Sequence, residues 1–281
     1  MNGKEVRSWL ARSLIGIAEP QEVKSMLQWW LEFRLGWKAS DWLLKEEEPV
    51  SAEKLVQIHA DLAELQTGKP LHYVLGEAWF AGKRFLVDQN VLIPRPETEE
   101  LIDWILADWP DKIGFRVIDL GCGSGIIPIS LKLARPNWDI VGADVSLSAL
   151  AVAQHNAVLH QTEVEWLEMD MLNNILPGNF DLVISNPPYI PQKEAATMTR
   201  QVVDFEPGLA LFVPDEAPLL FYRRIAALAK NQKILKAIYL ELHKNKALET
   251  SALFEVYSSK KVIQKDLNGH DRMLRIIYDA G

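Results

Sequence analysis

The first seventy residues repeat apolar side chains at helical spacing. Val6, Leu10 and Leu14, with Trp9, mark one amphipathic helix. Pro20 suits a first helical turn, and behind it Val23, Met26, Leu27, Trp30 and Leu31 fall at i, i+3, i+4, i+7 and i+8 before a stop at Gly36. Ser51 is placed to cap a further helix, with Leu55, Ile58, Leu62 and Leu65 on one face and Gly68 and Pro70 at its end. Such stripes need each other, which predicts a small helical bundle over residues 1–70, a binding or positioning module with no chemistry of its own. Over 71–94 the pattern changes. Trp79, Phe80, Phe85, Val87, Val91 and Ile93 stand among Gly76, Gly82 and Asp88-Gln89-Asn90, predicting a short hairpin or extended linker, with Phe80 either packed in the core or lining a pocket. Pro94-Arg95-Pro96 then opens a helix to about Trp109, with Glu97, Glu99 and Glu100 in its first turn, where the helix dipole favours acids.

From Arg116 the chain alternates. Short apolar runs at Arg116–Leu120, Asp139–Ala143, Val164–Leu167, Asp181–Ser185 and Ala237–Leu242 are separated by helical stretches at about 126–134, 147–159 and 215–230. That order predicts an α/β fold with a mostly parallel sheet covered on both faces. Two last runs, Lys261–Asp266 and Met273–Tyr278, flank Asn268-Gly269, a hairpin signal that places one antiparallel strand at an edge. The resulting division is a helical domain over 1–70, a linker or hairpin over 71–94 and an α/β domain over 95–281.

Composition narrows the function. With 30 Lys and Arg against 38 Asp and Glu, the net charge of -8 weighs against a phosphate backbone as the main partner. No apolar run is long enough to span a membrane, and the charge-interrupted N-terminus does not read as a secretory signal. A single cysteine, Cys122, and six histidines without ligand spacing give no metal site and imply a reducing, cytoplasmic setting.

Three local motifs carry chemistry. Val117-Ile-Asp-Leu-Gly121-Cys-Gly123-Ser-Gly125 reads as a strand, a glycine turn and a helix start, a place where backbone can approach a ligand closely. The third glycine of a dinucleotide fingerprint is replaced by Ile126, so a nucleoside without a diphosphate fits better. Asp144, ending the next strand, is placed to accept from both hydroxyls of a ribose. Asp170 and Met171 follow the third strand, where they could meet an adenine edge and face; Cys122 and Ser124 read as small turn residues. Asn186-Pro187-Pro188-Tyr189 follows the fourth strand. Proline has no N–H, so this turn offers acceptors without competing donors. The Asn186 side-chain oxygen and the Pro187 carbonyl could together hold an –NH2 group, with the Tyr189 ring as a flat face.

The glycine loop, Asp144 and Asn-Pro-Pro-Tyr together resemble class I S-adenosylmethionine methyltransferases that act on planar nitrogen. Gly68-Lys-Pro-Leu-His-Tyr-Val-Leu-Gly76, Leu92-Ile-Pro-Arg-Pro-Glu-Thr-Glu99, Asn186-Pro-Pro-Tyr-Ile190 and Phe205-Glu-Pro207 with Leu209-Ala-Leu211 narrow that to the HemK family of peptide-chain release factor glutamine N5-methyltransferases. The resemblance implies a Rossmann-like class I methyltransferase sheet with a helical substrate-binding N-terminal domain. It implies S-adenosylmethionine as methyl donor, leaving as S-adenosylhomocysteine, held by Gly121, Cys122, Gly123, Ser124, Gly125, Asp144, Asp170, Met171 and Asn186. It further implies that Asn186, Pro187, Pro188 and Tyr189 grip the glutamine of a release factor's Gly-Gly-Gln loop, with Asn186, Pro187 and Tyr189 catalytic. Arg95, Glu97 and Glu99 belong to a segment near the donor, or to a structural helix start; Glu206-Pro207 braces a loop. Class I release factors are the expected partners of a monomeric protein, with no direct nucleic acid and no membrane. The chain departs from the family pattern at 212–217 and 236–243, where glycines are missing. The other readings are a methyltransferase of a nucleobase amino group or of a ribosomal-protein glutamine, and a non-catalytic adaptor binding through its N-terminal tryptophans, Trp29, Trp30, Trp37 and Trp42.

Overall fold

The computed structural model describes residues 1–17, 20–38, 40–109, 113–254 and 260–278. They group into two compact units, one of residues 1–77 with 199–205 and one of residues 78–198 with the chain from Glu206 onward.

The first unit is helical: α1 (Gly3–Ser13), α2 (Pro20–Leu35), α3 (Trp42–Lys45), α4 (Ala52–Gln66) and α5 (Leu71–Leu75). Asn2 caps α1 by accepting from the Glu5 amide at 2.9 Å, and the Asn2 amide donates in turn to the Glu5 carboxylate, so two orphan donors are met at once. Ser51 caps α4. The expected stripes do meet: Val6, Leu10, Leu14, Trp30, Leu31, Ile58 and Leu65 are fully buried in one cluster. Trp30 and Trp42 belong to that cluster, and Trp29 and Trp37 pack against it half-buried, so these rings are spent on packing within the unit. Buried Asp61 on α4 ties the bundle together. It accepts from the Trp30 indole at 2.7 Å and from both Arg34 Nε and Nη2 at 2.7 and 2.6 Å. Removing a buried carboxylate strands an arginine and an indole donor; Asp61→Ala is therefore expected to cost about 3 kcal/mol or more in urea unfolding.

The second unit begins with the hairpin β1 (Glu77–Phe80) and β2 (Lys83–Leu86), turned by Ala81 and Gly82 at φ +48° and +68°. Two successive positive φ values are what a two-residue hairpin turn requires. Phe80 and Phe85 meet edge to face in the core, so of its two expected places Phe80 takes the packed one. There follow α6 (Pro96–Asp108), β3 (Arg116–Leu120), α7 (Ile126–Ala134), β4 (Asp139–Asp144), α8 (Leu147–Leu159), β5 (Glu165–Glu168) and β6 (Leu182–Ser185). Next are β7 (Ile190–Pro191), a 3-10 turn at Gln192–Thr197, α9 (Arg200–Phe205, grouped with the first unit), α10 (Gly208–Leu211) and β8 (Phe212–Val213). The chain continues through α11 (Leu220–Ala229), β9 (Ala237–Glu241), α12 (Ala247–Ala252), β10 (Lys260–Lys265) and β11 (Asp271–Ile277).

Seven strands form one sheet in the order β10-β11-β9-β6-β3-β4-β5. β3, β4, β5, β6 and β9 are parallel, and the terminal hairpin closes one end, β11 running antiparallel to both β9 and β10. The period of two sends Ile118, Val183 and Ile238 to one core face and Val117, Leu182 and Tyr239 to the other, so the continuous apolar runs are buried on both sides. β3 is central and pairs with β4 on one side and β6 on the other, leaving a crevice beyond their carboxyl ends.

The helix expected at 215–230 starts only at Leu220, because Pro218 disfavours helical backbone at the residue before it. The small elements between 190 and 213 and the helix α12 carry no strong periodicity and were not expected. No helix among the described residues is long and apolar enough to cross a membrane.

Candidate active site

The turn after β3 is built by backbone that only glycine adopts easily. Gly121, Gly123 and Gly125 have φ of +78°, +52° and +79°. The Gly121 and Cys122 amides both donate to the Ala143 carbonyl, at 2.8 and 3.0 Å, which draws the loop across the end of β4. The Gly123 amide reaches Asp144 Oδ2 and the Ser146 amide reaches Oδ1, each at 2.9 Å. Both carboxylate oxygens are thus oriented by backbone, and each retains a lone pair for a further donor.

A cavity of about 260 Å³ opens on this loop. Gly121, Cys122, Gly123, Ser124 and Asp144 line it, as do Asp170, Met171, Asn186 and Pro188. Asp170 is held by the Leu172 amide at 2.8 Å and the Asn173 side chain at 2.6 Å. A Cβ on Gly121 would lie 3.4 Å from Met171 Cε, in ordinary contact. Gly125 is not on the wall. It starts α7, where a Cβ would fall 2.8 Å from the Trp166 ring and 3.0 Å from Ala153 Cβ, so this glycine serves close packing of helix on sheet. Pro187 is buried off the wall as well.

Sequence reading left three parts of the site incomplete. Arg95, expected near the donor, does line the cavity, but the wall extends over Asn90–Arg95 and also includes Pro207, Leu209 and Ala210, which carried no such expectation. Arg95 ties the two stretches: its Nη2 donates to both oxygens of Glu206, at 2.6 and 2.8 Å, and Glu206 also accepts from the Ile93 amide at 3.3 Å. The Glu206 carboxylate is 1% exposed and the Arg95 side chain 34%. Arg95→Met leaves that carboxylate with one weak donor; it is expected to lower stability by about 2 kcal/mol in denaturant unfolding and to loosen this wall. Glu99 accepts from the Ala81 amide at 2.7 Å and so holds the hairpin turn, and neither it nor Glu97 lines the cavity.

Second, Asp119 is fully buried with neither carboxylate oxygen bonded to any described residue. Burial, and then the nearby Asp144 charge, push its pKa well up, and the same two carboxylates with burial raise the Cys122 thiol. Third, Asn186 is bound from behind. Its Nδ2 donates to Thr98 Oγ1 at 3.3 Å, the Thr98 hydroxyl donates to Glu241 Oε2 at 2.7 Å, and the Tyr189 hydroxyl donates to Glu241 Oε1 at 3.0 Å. Thr98 and Glu241 are both 1% exposed. Tyr189 is not on the cavity wall: its hydroxyl is committed to Glu241 and its ring meets His243 edge-on at 6.1 Å between centroids. The flat face expected of it is therefore used in packing. Burial and the Glu241 charge push the Tyr189 phenol up, keeping it a donor; burial also raises Glu241, against the bonds from Thr98 and Tyr189.

Comparison with known proteins adds to this geometry. Residues 5–76 match the family model for the PrmC N-terminal domain, and residues 102–205 that for the methyltransferase small domain. A release factor glutamine methyltransferase of Flavobacterium psychrophilum is 37% identical over 281 residues, covering 98% of this chain and 99% of the relative. That of Enterococcus faecalis is 40% identical over 246 residues, 85% and 87% of the two chains. The chain belongs to the release factor glutamine methyltransferase family.

Solved structures share the fold with this family member. The Thermus thermophilus 16S rRNA N2 G1207 methyltransferase, in complex with AdoMet and guanosine, is 16% identical with a TM-score of 0.51, over 72% of this chain and 50% of that one. A human methyltransferase 10 domain containing protein is 17% identical with a TM-score of 0.50, over 69% and 89%. The two stretches that depart from the family's pattern are partly regular: 212–213 form β8 while 214–217 make a turn, and 237–241 form the wholly buried β9 that carries Glu241.

Proposed function

We propose that this chain methylates the side-chain amide nitrogen, N5, of the glutamine in the Gly-Gly-Gln motif of class I peptide-chain release factors, with S-adenosylmethionine as donor, and so supports translation termination. The observation that carries the reading is that Asn186 lines the same cavity as Asp144 and the glycine loop, with its Nδ2 engaged by Thr98. Its Oδ1 is then the atom left to accept from an incoming –NH2 group.

The residues present suit the donor. The oriented Asp144 carboxylate has acceptor capacity for a ribose diol, Met171 gives an apolar face and Asp170 an acceptor for an adenine amino group. When bound, S-adenosylmethionine would supply an electrophilic methyl group on a sulfonium. The chain's own task is to present the nucleophile. An amide nitrogen is weak because its lone pair is delocalised into the carbonyl. An acceptor on its hydrogens, Asn186 Oδ1, orients it and stabilises the positive charge that grows on attack, with the Pro187 carbonyl, from a residue itself off the wall, as the expected second acceptor. Pro188 has no N–H to compete for those acceptors. The departing proton is acidic enough to pass to water, which matches a wall that includes no histidine among the described residues.

The relatives support the substrate by their names and by identity along nearly the whole chain. The test is transfer of labelled methyl to purified release factor, ribosomal RNA and DNA offered separately, followed by mapping of the labelled atom. Label on the glutamine of Gly-Gly-Gln is expected; label on a nucleobase alone would assign the clamp to an exocyclic amino group.

A further inference from the structure

We propose that Glu241, acting through Thr98, sets which way the Asn186 carboxamide faces, so that its oxygen and not its –NH2 meets the substrate. The inference rests on the reading of Asn186 as an acceptor for the glutamine amide. A carboxamide has nearly the same shape in its two flipped orientations, so packing alone cannot choose between them; only the donor or acceptor behind it can. Here the group behind is a threonine hydroxyl, which could either donate or accept. Glu241 removes the choice. An ionised carboxylate is acceptor-only, and its two oxygens take one hydroxyl each: Oε2 from Thr98 at 2.7 Å and Oε1 from Tyr189 at 3.0 Å. With its proton committed to Glu241, Thr98 Oγ1 has only lone pairs to show to Asn186, and Asn186 must answer with Nδ2.

The four groups come from three places in the chain. Thr98 lies in the first turn of α6, Glu241 ends β9, and Asn186 and Tyr189 flank the two prolines after β6. Thr98 and Glu241 are each 1% exposed; Thr98 reaches the cavity wall beside Asn186, while Glu241 lies behind it. Both are positioning residues, acting on the substrate amide through Asn186. A glutamine at 241 breaks the logic. Its Nε2 would donate to one of the two hydroxyls, and a Thr98 hydroxyl that receives this bond is free to turn its own proton toward Asn186 and invert it. The clamp would then present donors to donors.

The test is single-turnover methyl transfer to release factor by Glu241→Gln, Thr98→Val, Thr98→Ser and Asn186→Ala, with donor affinity by calorimetry and melting for each. Glu241→Gln and Thr98→Val are expected to slow transfer on the order of 10-fold to 100-fold. Donor affinity should stay close to native, and Thr98→Ser, which keeps the hydroxyl, should recover most of the rate lost in Thr98→Val. A merely structural role would lower melting and donor affinity together and would not distinguish Val from Ser at equal stability. If Thr98→Val does not fold, Glu241→Gln decides, since it preserves shape. Native rates in both Glu241→Gln and Thr98→Val, with Asn186→Ala inactive, would overturn this inference and leave the clamp standing. A fully active Asn186→Ala would instead remove the clamp itself.

Discussion

Asn186→Ala is expected to lower the rate of methyl transfer by roughly 10²–10³-fold while changing donor affinity only a few-fold, the size of effect seen when one preorganised polar partner is removed from developing charge. The residue is on the cavity wall and its side-chain oxygen is the acceptor that the Thr98 bond leaves free. Donor binding, by contrast, is spread over the glycine loop, Asp144, Asp170 and Met171, which the substitution does not touch. Single-turnover transfer and calorimetric titration of the donor separate the two quantities. Equal losses in both would make Asn186 a donor-binding residue and not a clamp.

Gly125→Ala should be strongly destabilising. The residue has φ +79°, where an L side chain costs about 1–2 kcal/mol, and its new Cβ would lie 2.8 Å from the Trp166 ring, 3.0 Å from Ala153 and 3.2 Å from Ile129. Overpacking of that kind costs about 1–3 kcal/mol more, because a ring wedged against the sheet cannot swing aside as a flexible chain end can. The sum, about 2–5 kcal/mol of lost stability, is readable in denaturant unfolding. Gly123→Ala makes the comparison: it shares a positive φ of +52° but meets nothing within 4 Å, so only the backbone cost applies. If Gly125→Ala proved no worse than Gly123→Ala, packing would not be what Gly125 is for.

Gly125 also shows where sequence reading stops. The strand, turn and helix around residues 117–134 are local in origin, and their pattern of apolar run, glycines and apolar run places them within a residue of where they lie. Asp144 is equally legible, since a strand end beside a glycine turn admits few arrangements. The three glycines look alike as letters, yet two line the cavity and the third fills a contact with Trp166, a residue 41 positions away. The Tyr189 ring had a plausible local role that its distant partner, Glu241, overrules. Thr98 and Glu241 are 143 residues apart and meet only because α6 packs near the end of β9. Neither carries a signal in its own neighbourhood: one is a threonine in a helix start, the other an acid closing an apolar strand. Likewise, the pairing of Arg95 with Glu206 spans 111 positions. The acid between Phe205 and Pro207 reads as a loop brace from sequence, but the cation it braces against does not. Contacts of this range are fixed by topology, which the periodicity constrains only as a class.

The most direct measurement is a crystal structure of the protein with S-adenosylhomocysteine and a Gly-Gly-Gln peptide. The glutamine side-chain nitrogen should lie about 3 Å from Asn186 Oδ1, with Asn186 Nδ2 still on Thr98. A peptide amide seated away from residues 186–188, or one that meets Asn186 through its –NH2 group, would contradict the account.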